Sequence, residues 1–300
     1  MQEPEIFEKT FQKAVSVSGV GLFTGEKVSL TFLPADTGSG IVFQRVDLPG
    51  APEIPAVLSS VREWPRCTKL ETEGASVQMV EHLLSALSAY GIDNLRIEMK
   101  GPEIPAGDGS ALLFVRAIEE AGVLTQLAKR QYIKIQDPIY WSEGDVHLIG
   151  LPADAFCISY TLHYPQSKII GSQFYSFICN AERYKQEIAP CRTFSLYEEI
   201  APFIEKGFLK GGGLENALVV KNDLILNPEG ARFPNEMVRH KVLDLIGDLA
   251  LTGFPILGHI IAVRSGHSSN LAFARKLASA SQAREEYFET FANSYVLENR

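Results

Sequence analysis

Only four cysteines, Cys67, Cys157, Cys179 and Cys191, are spread through 300 residues, and no two form a CxxC pair. That spacing argues against paired cysteines; it reads as reduced thiols and leads us to expect a cytoplasmic protein. Long hydrophobic runs are also missing. The longest, LTGFPILGHIIAV at 251–263, is too short and too broken by Gly and Pro to cross a bilayer. The opening MQEPEIFEKTFQK is charged and has no apolar h-region, so no secretory signal is expected. No cluster of Lys and Arg exceeds a few residues, and the net charge is −8, so nucleic acid is not an expected partner. Nothing marks a self-complementary face, and a monomer is expected. What remains is 46% hydrophobic and 21% charged residues, a globular composition with enough apolar material for one large domain or two ordinary ones.

The string LPAD occurs at 33–36 and again at 151–154. Before the first copy, AVSVSGVG, a TGEK turn and VSLTF read as strand, turn, strand; before the second, YIKIQDPIYW, a SEGD turn and VHLIG read the same way. A further strand follows each copy, IVFQRV at 41–46 and AFCISYTLHY at 155–164. Each half then carries an amphipathic helix, a strand and a second helix. In the first half these are 76–90, 94–101 and 109–122; in the second, 234–253, 258–266 and 268–289. Gly91 and Gly253 mark helix stops, and Pro234 suits a first helical turn. The pattern predicts an α+β fold of two similar sheet-plus-two-helix domains, 1–127 and 131–300, packed helix layer to helix layer as a four-layer sandwich. An extra stretch interrupts each half, near 47–66 and near 192–226. The two long helices then meet between the domains, where sites often form.

The segment VRHKVLDLIGDL, 238–249, shows why that meeting matters. Val238, Val242, Leu243, Leu245, Ile246 and Leu249 form one apolar face, while His240, Asp244 and Asp248 line another at intervals of four. A lone HxxxD on a helix is most simply a solvated face or a local hydrogen bond. At i and i+4, however, His240 and Asp244 can grip one ion, and a catalytic zinc needs a third ligand. Of the other histidines, His82 follows Glu81 in the first long helix, and a carboxylate beside a metal-ligating histidine is a natural general base. Asp248 continues the stripe. His267 lies in SGHSSN before a helix, and Thr193 in RTF opens the second extra stretch. His147, His163 and His259 read as ordinary surface or strand residues, and Cys191 has no base beside it.

VEHLLSALSAYGIDN, EIPAGDGSA, RTF, LKGGGLENALVV, VRHKVLDLIGDL and SGHSSN, in this order, closely resemble the zinc-dependent UDP-3-O-acyl-N-acetylglucosamine deacetylases of lipid A biosynthesis. The resemblance runs from about residue 10 to 280. It implies two α+β domains with helices between two sheets. It also implies a zinc or ferrous ion held by His82, His240 and Asp244, with Glu81 as general base. His267 would be the second catalytic group, held by Asp248, with Thr193 helping to hold the oxyanion. Lys241 would contact substrate, Phe194 and the second extra stretch would form the passage for a fatty acyl chain, and Cys67 would line the sugar pocket. The partner is then a UDP-sugar with a 3-O-fatty acyl chain, and the reaction is the committed N-deacetylation, releasing acetate. Two positions depart from the family: Phe23 stands where His is usual in the early turn, and Gln78-Met79 replace Ser-Thr before VEH. The chain ends soon after its last helix, so no fused dehydratase is expected.

The stretch 194–213 holds Phe194, Leu196, Tyr197, Ile200, Phe203, Ile204, Phe208 and Leu209, which suits an acyl channel or a satellite core. Gly211, Gly212 and Gly213 permit the turn that would close a channel. Three other readings stay open: a zinc amidohydrolase acting on another N-acylated sugar or lipid, a non-catalytic lipid or sugar-nucleotide binder, and a structural metal site.

Overall fold

The computed structural model of the chain describes residues 7–281, and the architecture is α+β. Its helices, in chain order, are α1 (Glu81–Tyr90), α2 (Leu112–Ala121), α3 (Ala181–Arg183, continued by a π-helical turn Tyr184–Ile188), α4 (Tyr197–Glu205), α5 (Glu236–Ala250) and α6 (267–281). The expected continuation of the last helix to 289 lies outside the described residues.

Two five-strand paths share one order. The first runs Val15–Val20, Lys27–Pro34, Leu95–Lys100, Ile41–Arg45, Glu53–Pro55. The second runs Ile139–Glu143, Val146–Leu151, Ile256–Val263, Phe156–Tyr164, Gly171–Ile178, with Ile133–Lys134 added beside Ile256–Val263. In both, the central strand is the last to be laid down. It runs antiparallel to its hairpin neighbour and parallel to the strand on its other side. The duplication suggested by two LPAD strings is thus visible in strand order and sense. Phe7–Phe11 and Val123–Lys129 pair as a separate ribbon.

Each sheet turns one face inward. Along Lys27–Pro34 the buried positions are Val28, Leu30 and Phe32; along Ile256–Val263 they are Ile256, Gly258, Ile260 and Ala262, the period of two that a half-buried pleat imposes. Helices cover those faces. α2 touches Val15–Val20, and α5 touches Phe156–Tyr164 and Gly171–Ile178. α1 packs extensively along α5. Leu83 and Leu87 from α1, Val242 and Ile246 from α5, and Leu30 and Ile260 from the two sheets belong to one continuous core.

The helix expected over 76–90 is shorter than its apolar spacing suggests. Ala75–Gln78 is a strand paired with Lys69–Thr72, Met79 takes a left-handed φ of 67°, and α1 begins only at Glu81. Val77, Val80, Leu83, Leu84 and Leu87 fit a helical stripe, but Val77 is an inward strand residue opposite Leu70. The break matters because it places Glu81 and His82 in a first helical turn rather than mid-helix. The first extra stretch likewise reaches further than 47–66: it is a three-stranded sheet of Val61–Arg62, Lys69–Thr72 and Ala75–Gln78. The second is a three-stranded sheet of Phe194–Leu196, Leu218–Lys221 and Leu224–Ile225 around α4.

Candidate metal centre and active-site cavity

α1 and α5 touch at a glycine. A β-carbon on Gly247 would lie 2.0 Å from the Glu81 carbonyl oxygen, so only glycine lets α5 pass this close to the first turn of α1. That contact delivers His82 from one helix to His240 and Asp244 on the other. One ligand atom from each of the three lies within 4.8 Å of the others, and all three residues are buried. His240 Nε2 is 3.2 Å and His82 Nε2 3.8 Å from Asp244 Oδ1, and the two imidazoles meet edge to face at 5.0 Å.

Hydrogen bonds set the orientation of these groups. His240 Nδ1 lies 3.0 Å from the Cys191 carbonyl oxygen, which can only accept, so Nδ1 carries the proton. In the neutral ring this leaves Nε2 as a bare lone pair facing Asp244 Oδ1. Lys241 Nζ donates to Asp244 Oδ2 at 2.9 Å, while Asp244 Oδ1 is buried with no hydrogen-bond partner among the described residues. A buried carboxylate oxygen left bare beside two imidazole nitrogens is unfavourable unless a cation fills the space between them. Two imidazoles and one carboxylate also suit a divalent ion such as zinc. Burial, with His240 adding and Asp244 opposing, pushes the His82 imidazole down to about 3, the neutral state a ligand must have. Burial would raise the Asp244 carboxyl, but His240 and Lys241 outweigh it and hold it well below the usual range.

The Cys191 carbonyl is itself pinned. Arg192 donates through its backbone N–H and Nε to Glu236 Oε1, both at 2.9 Å, and both side chains are buried. Glu236 sits in the first turn of α5, so this pair ties 191–193 to the start of the helix that carries His240. Thr193 N–H donates to the Gly109 carbonyl at 2.8 Å, fixing the next residue on the cavity wall.

A second cluster stands beside the first. His267, the opening residue of α6, has Nδ1 2.9 Å from Asp248 Oδ2 and Nε2 3.9 Å from Glu81 Oε1. Asp248 also accepts from Thr68 Oγ1 at 2.6 Å and Asn270 Nδ2 at 2.8 Å. Thr68 N–H donates to Glu81 Oε2 at 3.0 Å, so one residue of the first half touches both carboxylates. Burial, with Asp248 and Asp244 adding and His267 opposing, pushes the Glu81 carboxyl up to about 7. Burial and a helix start would both lower His267; Asp248 overcomes them and holds the imidazole at about 9.

Both clusters open into a cavity of about 660 Å³. Glu81, His82, His240, Lys241, Asp244, His267, Thr193, Phe194 and Gly212 all line it. Beyond them the wall turns apolar, with Ile200 and Ile204 from α4 and Leu209, Val219 and Leu226 from the rest of the second extra stretch. Phe194 lies between the regions, 6.4 Å from the His240 ring and beneath Lys241 Nζ. Cys67 and Leu196 do not line it: both are buried in the hydrophobic core, Leu196 at the end of its short strand and Cys67 between the turning residue Arg66 and the inward Thr68. Burial pushes both Cys67 and Cys191 thiols up, which removes them as nucleophiles. Phe23 lines the cavity in the early turn, whose backbone is held by Glu103: Phe23 N–H and Thr24 N–H donate to its carboxylate at 2.7 and 2.9 Å. Sequence reading missed Thr68, Asn270, Glu103, Gly247 and the Cys191 carbonyl. Glu103, Gly247 and Asn270 do lie inside EIPAGDGSA, VRHKVLDLIGDL and SGHSSN.

Comparison with known proteins gives this arrangement a family. Residues 8–279 match the family described as LpxC: UDP-3-O-acyl N-acetylglycosamine deacetylase. Proteins named UDP-3-O-acyl-N-acetylglucosamine deacetylase from Chlamydia pneumoniae and Chlamydia felis (strain Fe/C-56) are each 47% identical to this chain. The alignments span 274 and 270 residues, covering 91% and 90% of this chain and 97% and 96% of those proteins. The protein of the same name from Chlamydia trachomatis serovar L2 (strain ATCC VR-902B / DSM 19102 / 434/Bu) is 43% identical over 279 residues, 93% of this chain and 97% of its own. With the family matched over nearly its whole length, the chain belongs to the UDP-3-O-acyl N-acetylglycosamine deacetylases.

Proposed function

We propose that this protein hydrolyses the N-acetyl group of UDP-3-O-acyl-N-acetylglucosamine, releasing acetate at the committed step of lipid A biosynthesis, and that it does so in the cytoplasm as a monomer. The observation that carries the reading is the bare, buried Asp244 Oδ1 facing two imidazole nitrogens at the head of a cavity that turns apolar. His82, His240 and Asp244 would hold the ion, with zinc the expected metal and ferrous iron the alternative. Such an ion, when bound, polarises an amide carbonyl and acidifies water.

The chain's own residues supply the rest. Glu81 Oε1 takes a proton from the attacking water, and a carboxyl held near 7 can both take and return one at neutral pH. His267, held near 9, keeps its positive charge there and gives a proton to the departing nitrogen. Asp248, Thr68 and Asn270 hold that imidazole in place. The Thr193 hydroxyl faces the oxygen on which charge develops, a position where one lost donor lowers the rate roughly 100- to 1,000-fold. Lys241 contacts the substrate, and the α4 wall receives the acyl chain, where each buried methylene contributes about 0.8 kcal/mol.

The test is metal analysis with a deacetylation assay on the wild-type protein and Asp244→Ala. One tightly bound divalent ion in the wild type, with metal and activity lost together in the variant, is the expected result. An active protein free of divalent metal would overturn the reading.

A further inference from the structure

Arg66 lies in the first extra stretch, between Val61–Arg62 and Lys69–Thr72, yet its side chain grips the second. Its Nη1 lies 3.3 Å from Ser195 Oγ. Its Nη2 donates to the Glu199 carbonyl oxygen and to Glu199 Oε2, each at 3.2 Å. Its guanidinium sits 5.2 Å over the Phe203 ring. Glu199 and Phe203 are one helical turn apart on α4, so the planar fork and stack fix both the position and the rotation of that helix. The backbone here is strained as well: Arg66 has φ of 66°, the left-handed region that a long side chain enters only when its surroundings demand it. Arg66 lines the same cavity as Ile200 and Ile204, the α4 residues on its apolar wall.

α4 is also held from within its own insertion, where Lys221 Nζ stands 3.9 Å over the Tyr197 ring. Its packing is with Phe194–Leu196 and Leu218–Lys221, inside its own insertion, and none of its residues is fully buried. The loop after α4 is tied separately to the early turn: Lys210 and Gly211 N–H donate to the Phe23 and Leu22 carbonyls at 3.2 and 3.1 Å. A β-carbon on Gly211 would lie 2.2 Å from the Gly21 carbonyl, so that end is closely fitted. One end of the wall is therefore seated by backbone, and the other by the Arg66 side chain from the opposite half.

We infer that Arg66 is a specificity-determining positioning residue: by clasping α4 across the cavity mouth it sets the shape of the acyl passage, and so how strongly the enzyme prefers a substrate bearing a 3-O-acyl chain. The inference rests on the acyl-passage reading above. Without the clasp, Ile200 and Ile204 no longer present a fixed surface, and the chain meets a looser wall.

The experiment compares wild type, Arg66→Ala, Arg66→Lys and Glu199→Gln, all metal-loaded. Each is assayed on the sugar nucleotide with a long 3-O-acyl chain, with a short one, and with none. Hydrogen exchange over 197–208 is followed in the same proteins. We expect the ratio of kcat/KM for long-chain over unacylated substrate to fall about ten-fold in Arg66→Ala, mainly through KM, with faster exchange across α4. Arg66→Lys keeps the charge but loses the fork, and Glu199→Gln keeps the carbonyl acceptor; both should fall between. An unaltered ratio with unaltered exchange in Arg66→Ala, while wild type still discriminates by chain length, would overturn the clasp and leave the acyl passage standing. Equal loss on all three substrates would overturn it too, since Arg66 would then serve the sugar nucleotide in general. A wild type indifferent to chain length would overturn the acyl passage itself, and the inference with it.

Discussion

The two halves of the chain share a strand order but not a chemistry. The first half contributes Glu81 and His82, both at the start of one helix, with Thr68 beside them. The second contributes His240, Asp244 and Asp248 along one stripe of α5, and His267 at the start of α6. Environment raises one titratable group from each half: the Glu81 carboxyl to about 7 and the His267 imidazole to about 9. The lesson is that a duplicated scaffold supplies placement, while the reactive asymmetry comes from what each copy puts on the seam. In the proposed reaction one half holds a group poised to exchange a proton, the other a group that stays charged.

The sharpest way to break this asymmetry is Glu81→Gln. In the proposed reaction it removes the base and leaves the ligands, so kcat should fall roughly 100- to 10,000-fold with metal content unchanged. Next is the seam itself. Gly247→Ala drives a β-carbon into the Glu81 carbonyl and must push the helices apart. We expect a loss of roughly 1–3 kcal/mol in denaturant unfolding, with a fall in kcat because both clusters straddle that contact.

Asp248→Asn acts first on the second half, at His267. His267 has its folded pKa raised above its ordinary 6.5, so the stability from its pairing is fully present below about 6.5 and fades as pH rises through about 9. Replacing Asp248 removes that support; the basic limb of the pH–rate profile should move from about 9 toward neutrality, and the fade in stability should move with it. A basic limb that stays put would show that His267 is not the charged group. The smallest effect belongs to the bridge between halves. Thr68→Val deletes the hydroxyl bond to Asp248 but keeps the N–H to Glu81. The loss of one hydrogen bond to a charged group, about 1.5 kcal/mol, predicts roughly ten-fold in kcat with little change in KM, restored by Thr68→Ser.

Much of this was legible from residue spacing. The i, i+4 stripe of His240, Asp244 and Asp248 survives folding because helical periodicity is local, and the repeat of hairpin, strand, helix and strand foretold the two matching sheets. The start of α1 was not legible. Val77 satisfies helical and strand spacing alike, and only the pairing of Ala75–Gln78 with Lys69–Thr72 decides between them. Backbone partners leave no trace in a one-letter string either. The Cys191 carbonyl that sets the His240 tautomer, and the Thr68 N–H on Glu81, depend on where the chain passes rather than on side-chain type. Cys67 and Leu196 were expected at the cavity and went to the core, because an apolar side chain next to a site gains as much from the interior as from a ligand.

The bare oxygen of Asp244 and the two imidazoles beside it have a consequence beyond the reaction. They come from helices far apart in the sequence, so an ion seated among them would act as a removable staple, binding the folded chain and not the unfolded one. The melting temperature should then climb with the logarithm of free metal concentration, and a chelator should loosen the join between the two sheets' helices as well as silence the enzyme.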